Sequence, residues 1–224
     1  MMENSLQALR YIGIEHDACA IYAAISKKPT GVGTQSVALW KVGVESLRQM
    51  DHRAGWIDGR SDGMGLLVDI PRALWAQRLS EHDIPLSPFT ENFWIFQVVT
   101  PMTQRRDSLH TLGHALMGTP FRRLLSHLEL TDNGQALDSH ALWLDDASVN
   151  PQEIYRTLEA LERAFPGRIA SFSNTHIVLK VTQGPEALER VLGDQTSSAF
   201  QPRVVIGHNR FSTNTATDLS RVQP

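Results

Sequence analysis

The stretch Phe93-Trp94-Ile95-Phe96-Gln97-Val98-Val99-Thr100 constrains this chain more than any other. Every residue in it except Gln97 is aromatic or β-branched, so the run favours an extended backbone and leaves both faces of the strand apolar. A strand apolar on both faces needs cover on both sides, from a second sheet or from helices. Cys19–Ser26, reading CAIYAAIS and closed by Lys27-Lys28-Pro29, predicts another strand with both faces largely buried.

Helical periods fall between such runs. Val37, Trp40, Val44, Leu47 and Met50 recur at helical spacing and predict about four turns. A polar, glycine-bearing loop around Asp62 leads to a strand at Leu66–Ile70, ended by Pro71. Thr103–Leu130 reads as mostly helical, broken at Gly118-Thr119-Pro120, and His140–Leu144 as a short strand. Asn150-Pro151-Gln152-Glu153 opens a helix, with an Asn cap, Pro at the first position and an acidic first turn. Ile154, Leu158, Leu161 and Phe165 line one face of that helix, and Pro166-Gly167 ends it. Arg168–Phe172 and His176–Val181 flank Ser173-Asn174-Thr175 and predict a hairpin. Pro185–Leu192 predicts a helix closed by Gly193, and Arg203–Phe211 the last strand. Strict β-α-β alternation is absent, so the expectation is an α+β domain with mainly antiparallel sheets. No repeat or linker divides the 224 residues, and 42% hydrophobic content is enough for a core.

The net charge of −3 offers no sustained positive field for a phosphate backbone, which argues against nucleic acid as a partner. One cysteine permits no internal disulfide and points to a reducing compartment. Glu3, Gln7 and Arg10 interrupt the apolar residues of the first eighteen positions, and no later run is long enough to cross a bilayer. The expected location is the cytoplasm.

Several patterns invite chemistry and read better as structure. Gly31-Val32-Gly33 precedes a helix but lacks the Lys-Ser/Thr pair of a phosphate loop, so it reads as a turn. His110 and His114 share a helical face without a third ligand, and no metal site is expected there. Asp145-Asp146 lies just ahead of a helix N-terminus, where negative charge is favoured. Asp51 and Asp62 form another possible acid–base pair, and Asp62 stands out because it sits among tight glycines. Arg210 ends an apolar strand and is followed by Ser212, Thr213, Asn214 and Thr215, a composition suited to clamping a small carboxylate. Cys19, taken alone, reads as a small buried hydrophobe as readily as a nucleophile.

Three segments, in order, carry a resemblance. Asp17-Ala18-Cys19, then His52-Arg53 with Asp62-Gly63-Met64-Gly65 and Asp69-Ile70-Pro71, then Gly207-His208-Asn209-Arg210-Phe211-Ser212-Thr213-Asn214-Thr215 resemble the class II glutamine amidotransferase domain of glutamate synthases. The likeness takes in the Ile169–Lys180 region and runs through most of the chain from Asp17 onward. It implies an N-terminal-nucleophile hydrolase, a four-layer αββα sandwich, with residues 1–18 a leader and 19–224 the amidotransferase domain. It also implies that Cys19, freed at the N-terminus, attacks the side-chain amide of L-glutamine with Arg53 beside it. Arg210 would hold the α-carboxylate with Phe211, Thr213 and Asn214.

A free α-amine on the same residue can serve as base for a thiol that is mostly protonated at neutral pH. Ammonia would pass to a synthase domain or subunit, without metal or cofactor in this chain, and a homo-oligomer is compatible with the family. Ala20 and Ala54 stand where the family usually has Gly. The family's Asn-Gly oxyanion pair lies beyond the counterpart of Gln223-Pro224, so the expectation is a C-terminally truncated domain or one completed by another chain. The alternative is an inactive relative that binds glutamine as a regulatory module.

Overall fold

The computed structural model describes residues 19–26, 38–57, 60–194, 199–210, 218–219 and 222. Strand β1 (Ala20–Ile25) leads to helix α1 (Leu39–Gln49), whose Trp40, Val44 and Leu47 are buried along one face at the predicted spacing. A short 3-10 turn, Asp51–Arg53, carries the chain into the small strands β2 (Trp56–Ile57) and β3 (Arg60–Ser61), and then β4 (Met64–Asp69). Next come α2 (Arg72–Glu81), β5 (Phe93–Pro101) and α3 (Arg105–Ala115). The chain continues through β6 (Phe121–Asp132), β7 (Gln135–Leu144), α4 (Pro151–Ala164), β8 (Arg168–Ser173), β9 (His176–Val181), α5 (Pro185–Asp194) and β10 (Val204–Asn209).

The strands form two four-stranded sheets, ordered β1-β10-β4-β9 and β6-β7-β5-β8, with β2 and β3 paired by themselves. Every pairing among the described residues is antiparallel. The mixed α+β class with antiparallel sheets is therefore as expected. Helices α1 and α5 pack on the first sheet, where Trp40, Val44, Leu47, Leu188 and Leu192 meet Leu66, Leu179 and Val205 in one large core. Helices α3 and α4 cover the second sheet, where Leu112, Leu116, Leu161 and Phe165 meet Phe96, Val98, Leu142 and Leu144.

The other face of β5 supplies Ile95 and Val99 to the first core, so this strand is covered on both sides, as its composition requires. Between those two residues lies Gln97, fully buried. Its Nε2 donates to the Val178 carbonyl at 3.0 Å and its Oε1 accepts from the Val178 N–H at 2.6 Å. The side-chain amide thus pairs with the edge strand β9 as a neighbouring strand would, and bonds one sheet to the other.

Five points of the sequence reading need correction. Phe121–Asp132 is a strand, so the helix expected over Thr103–Leu130 shrinks to α3. Asn133 and Gly134, with φ of 49° and 73°, make the tight turn that returns β6 as β7, and β7 is twice the length expected of the His140–Leu144 strand. Helix α2 was not foreseen; it buries Leu74, Trp75 and Leu79 directly after Pro71.

The expected hairpin at Ser173-Asn174-Thr175 is a corner: β8 pairs with β5 and β9 with β4, in different sheets. Ser173 Oγ accepts the N–H groups of Thr175 and His176 at 3.0 and 3.3 Å, which bends the chain from one sheet into the other. Finally, β1 buries one face only. Ile21 and Ile25 are 71% and 69% exposed, because β1 is the outer strand of its sheet and only its Ala20-Tyr22-Ala24 face looks toward α1.

Candidate active site

Of the residues singled out by sequence, Cys19, Asp62 and Arg210 come together at one end of the first sheet. Cys19 immediately precedes β1 and is exposed. Ala20 pairs with Asn209, the last residue of β10, so Cys19 begins where Arg210 leaves the sheet. Asn209 pairs in turn with Met64, which puts the turn before β4 on the other side of Arg210.

Backbone hydrogen bonds fix this cluster. The Arg210 N–H donates to the Gly63 carbonyl at 2.9 Å, and the Arg210 carbonyl accepts from the Gly55 N–H at 3.3 Å. Asp62 N–H donates to Gly55 O at 2.7 Å, closing a ring of loop segments around Arg210. Gly55 follows the 3-10 turn that holds Arg53, so the backbone of Arg53 is two residues from the ring. Arg210 itself is half-buried.

Two glycines are required by this arrangement. A Cβ on Gly55 would lie 1.9 Å from Asp62 Oδ2, so only glycine lets the buried carboxylate lie against the loop. Gly63 has φ of 114° and would set a Cβ 2.1 Å from Val222 Cγ2, which is strained for any other residue and sterically closed as well. Val222 is held there from the far side, because the buried Lys180 Nζ donates to its carbonyl at 3.1 Å. Burial pushes the Lys180 ammonium down to about 8, with Asp218 opposing. Gln135 pins the same segment by accepting from Leu219 N–H at 3.0 Å and donating to Asp218 Oδ1 at 3.2 Å.

Sequence reasoning missed Asn209. Its side chain is completely buried and its Nδ2 donates to the Leu47 carbonyl at 3.0 Å, near the end of α1. That bond ties the strand entering Arg210 to the helix entering Arg53. A polar residue at the end of an apolar strand was the available signal. Phe211, Thr213 and Asn214, the leader 1–18 and Gly31-Val32-Gly33 lie outside the described residues. His110 and His114 lie with ring centroids 4.7 Å apart, tilted by 53°, on the exposed side of α3, apart from this cluster, and among the described residues no group of three or more His, Cys, Asp or Glu is placed to hold a metal. No described helix is long and apolar enough to cross a membrane.

Residues 151–224 match the family model described as glutamine amidotransferases class-II. The chain is also 26% identical, over 246 residues, to the glutamate synthase [NADPH] large chain of Bacillus subtilis (strain 168). What the chain resembles is a class II glutamine amidotransferase domain. The likeness to the Bacillus protein takes in 94% of this chain and 15% of that one, so the chain spans a small part of its relative's length. The amidotransferase match runs from α4 to the end of the chain and contains Asn209, Arg210, Lys180 and Val222. Cys19, Arg53 and the Asp62-Gly63 turn lie outside that match, and the fold brings Cys19 and the turn to the exit of the matched strand β10.

Proposed function

We propose that this chain is the glutaminase part of a glutamate-synthase-type amidotransferase. The observation that carries the reading is the pairing of Ala20 with Asn209, which sets the only cysteine beside the arginine expected to hold substrate. In the reaction, residues 1–18 are removed and the new α-amine of Cys19 takes the thiol proton. The sulfur attacks the side-chain carbonyl carbon of glutamine, the C–N bond breaks, and ammonia leaves with the proton returned from the amine. Water then hydrolyses the thioester to glutamate and regenerates the thiol. Arg53 stands beside the nucleophile. Arg210, with Phe211, Thr213 and Asn214, clamps the α-carboxylate, a task for which a planar guanidinium is well shaped. Ammonia passes to a synthase partner. The two sheets, each with helices packed against it, support the four-layer αββα arrangement of that family.

Intact mass and ammonia release test this together. The expected species begins at Cys19, reacts once with a glutamine analogue carrying an electrophilic side chain, and loses all reaction in Cys19→Ala. Arg210→Ala should raise KM for glutamine at least about tenfold with little change in unfolding midpoint, as expected for a lost charge-assisted clamp. A chain that keeps Met1 and never reacts, whatever partner is supplied, would sink the proposal and favour the glutamine-binding module.

A further inference from the structure

A second concave site lies away from Cys19. A cavity of about 540 Å³ opens between α2, β6, the end of β9 and α5, a volume within the range that small metabolites occupy. Leu74, Leu130 and Val191 give it an apolar wall, and its polar lining sets Arg78, His127 and Arg190 among Glu129, Asp132 and the uncharged Gln77, Thr131 and Gln183.

The hydrogen bonds show what these groups have left to offer. Arg78 rests on the Trp75 ring, 4.8 Å from its centroid, and its Nη2 donates to His127 Nε2 at 2.7 Å. A guanidinium has only donors, so His127 Nε2 is the acceptor and the neutral ring carries its proton on Nδ1. Burial lowers the His127 pKa and keeps the ring in that form. Arg190, on the exposed rim, is oriented by donating to Gln183 Oε1 at 3.4 Å. Gln183 in turn donates to Asp132 Oδ1 at 2.7 Å.

The two carboxylates of the lining are committed. Asp132 also accepts from Thr182 N–H and Oγ1 at 2.5 and 2.8 Å. The Glu129 side chain is 1% exposed and pairs with the Arg78 guanidinium, Oε1 to Nη1 at 3.8 Å. The donors left on this lining are the N–H groups of Arg78 and Arg190 outside their bonds to His127 and Gln183 and the remaining ring N–H of His127, beside an apolar wall. Two arginines offset by two carboxylates leave no net charge for a multiply charged anion. The match is one carboxylate on a short hydrocarbon body.

We propose that this cavity is a binding site for a small organic monocarboxylate, separate from the cluster at Cys19. Hexanoate and its neutral isostere hexanamide are the probes, followed by amide and side-chain NMR shifts on the full chain. Hexanoate should bind saturably, with a Kd of about 1 mM or tighter for a ligand of this size. It should shift the Gln183 side-chain amide and the His127 ring, and bind at least about tenfold tighter than hexanamide. Arg190→Gln, on the exposed rim, should weaken hexanoate about tenfold and leave the fold intact, whereas Arg78 variants strand Glu129 and are poor probes. Arg210→Ala should leave hexanoate binding unchanged. Equal binding of acid and amide, no shift at Gln183 and His127, or loss of binding in Arg210→Ala in place of Arg190→Gln would overturn the assignment.

Discussion

At the scale of single residues, polar groups set far from water do much of the specifying. His140 is completely buried in β7, its Nδ1 2.8 Å from Ser126 Oγ and its Nε2 without a partner among the described residues. Burial, with Arg123 and Arg105 adding to it, pushes its pKa from 6.5 down to about 3. The unfolded chain thus takes up this proton as pH falls through 6.5, and the folded chain only near 3. Stability should be flat with respect to His140 above about 6.5 and fall by roughly 1.4 kcal/mol per pH unit well inside the window. In urea titrations between pH 7 and 4, His140→Asn, which can keep a donor toward Ser126, should start less stable and lose part of that slope. An unchanged slope would place the acid sensitivity elsewhere, His127 and His176 being the other histidines that burial shifts downward. Among the candidate site residues, Cys19 and Arg210 were singled out through the family resemblance, and the fold sets them at neighbouring strand ends. The closeness of Gly55 to Asp62 was not legible in sequence, since nothing local says that two loop segments will touch.

At the scale of elements, local signals served well where they were complete. Asn150 at the start of α4 accepts the Gln152 N–H at 2.9 Å, with Pro151 in the first turn, as its sequence foretold. Asn150→Ala should cost about 1 kcal/mol, read as a drop in unfolding midpoint with the native fold unchanged. A loss several times larger would mean that the cap also holds a tertiary contact. The signal failed at β6, where Leu124, Leu125, Leu128 and Leu130 fit a helical stripe as well as a strand. The deciding evidence was the Asn133-Gly134 turn and the availability of β7 as a partner, the second of which is a tertiary fact. It failed again at Ser173-Asn174-Thr175, because a three-residue polar link is compatible with a hairpin and with a corner. The choice depends on where β4 and β5 present their edges.

At the scale of the whole molecule, the class was readable from strand and helix runs that lack strict β-α-β alternation, and the sheet memberships were not. Adjacent strands in the sequence parted company at the β8–β9 corner, and strands far apart joined. The second sheet takes all four strands from Phe93 to Ser173, an uninterrupted part of the chain, whereas the first gathers β1, β4, β9 and β10 from near both ends of the described residues. Loops that join distant strands are costly to close, so local pairings are favoured to form first. The central strands β5–β8 should therefore acquire hydrogen-exchange protection early in refolding and β1 and β10 late, in pulse-labelling experiments. Simultaneous protection of both sheets would refute this order. β1 and β10 set Cys19 and Arg210 at neighbouring strand ends, so a chain halted before that pairing would hold the second sheet with these two residues still apart. If the proposed reaction holds, glutamine hydrolysis during refolding should lag behind protection of the second sheet and appear with the last pairing to form.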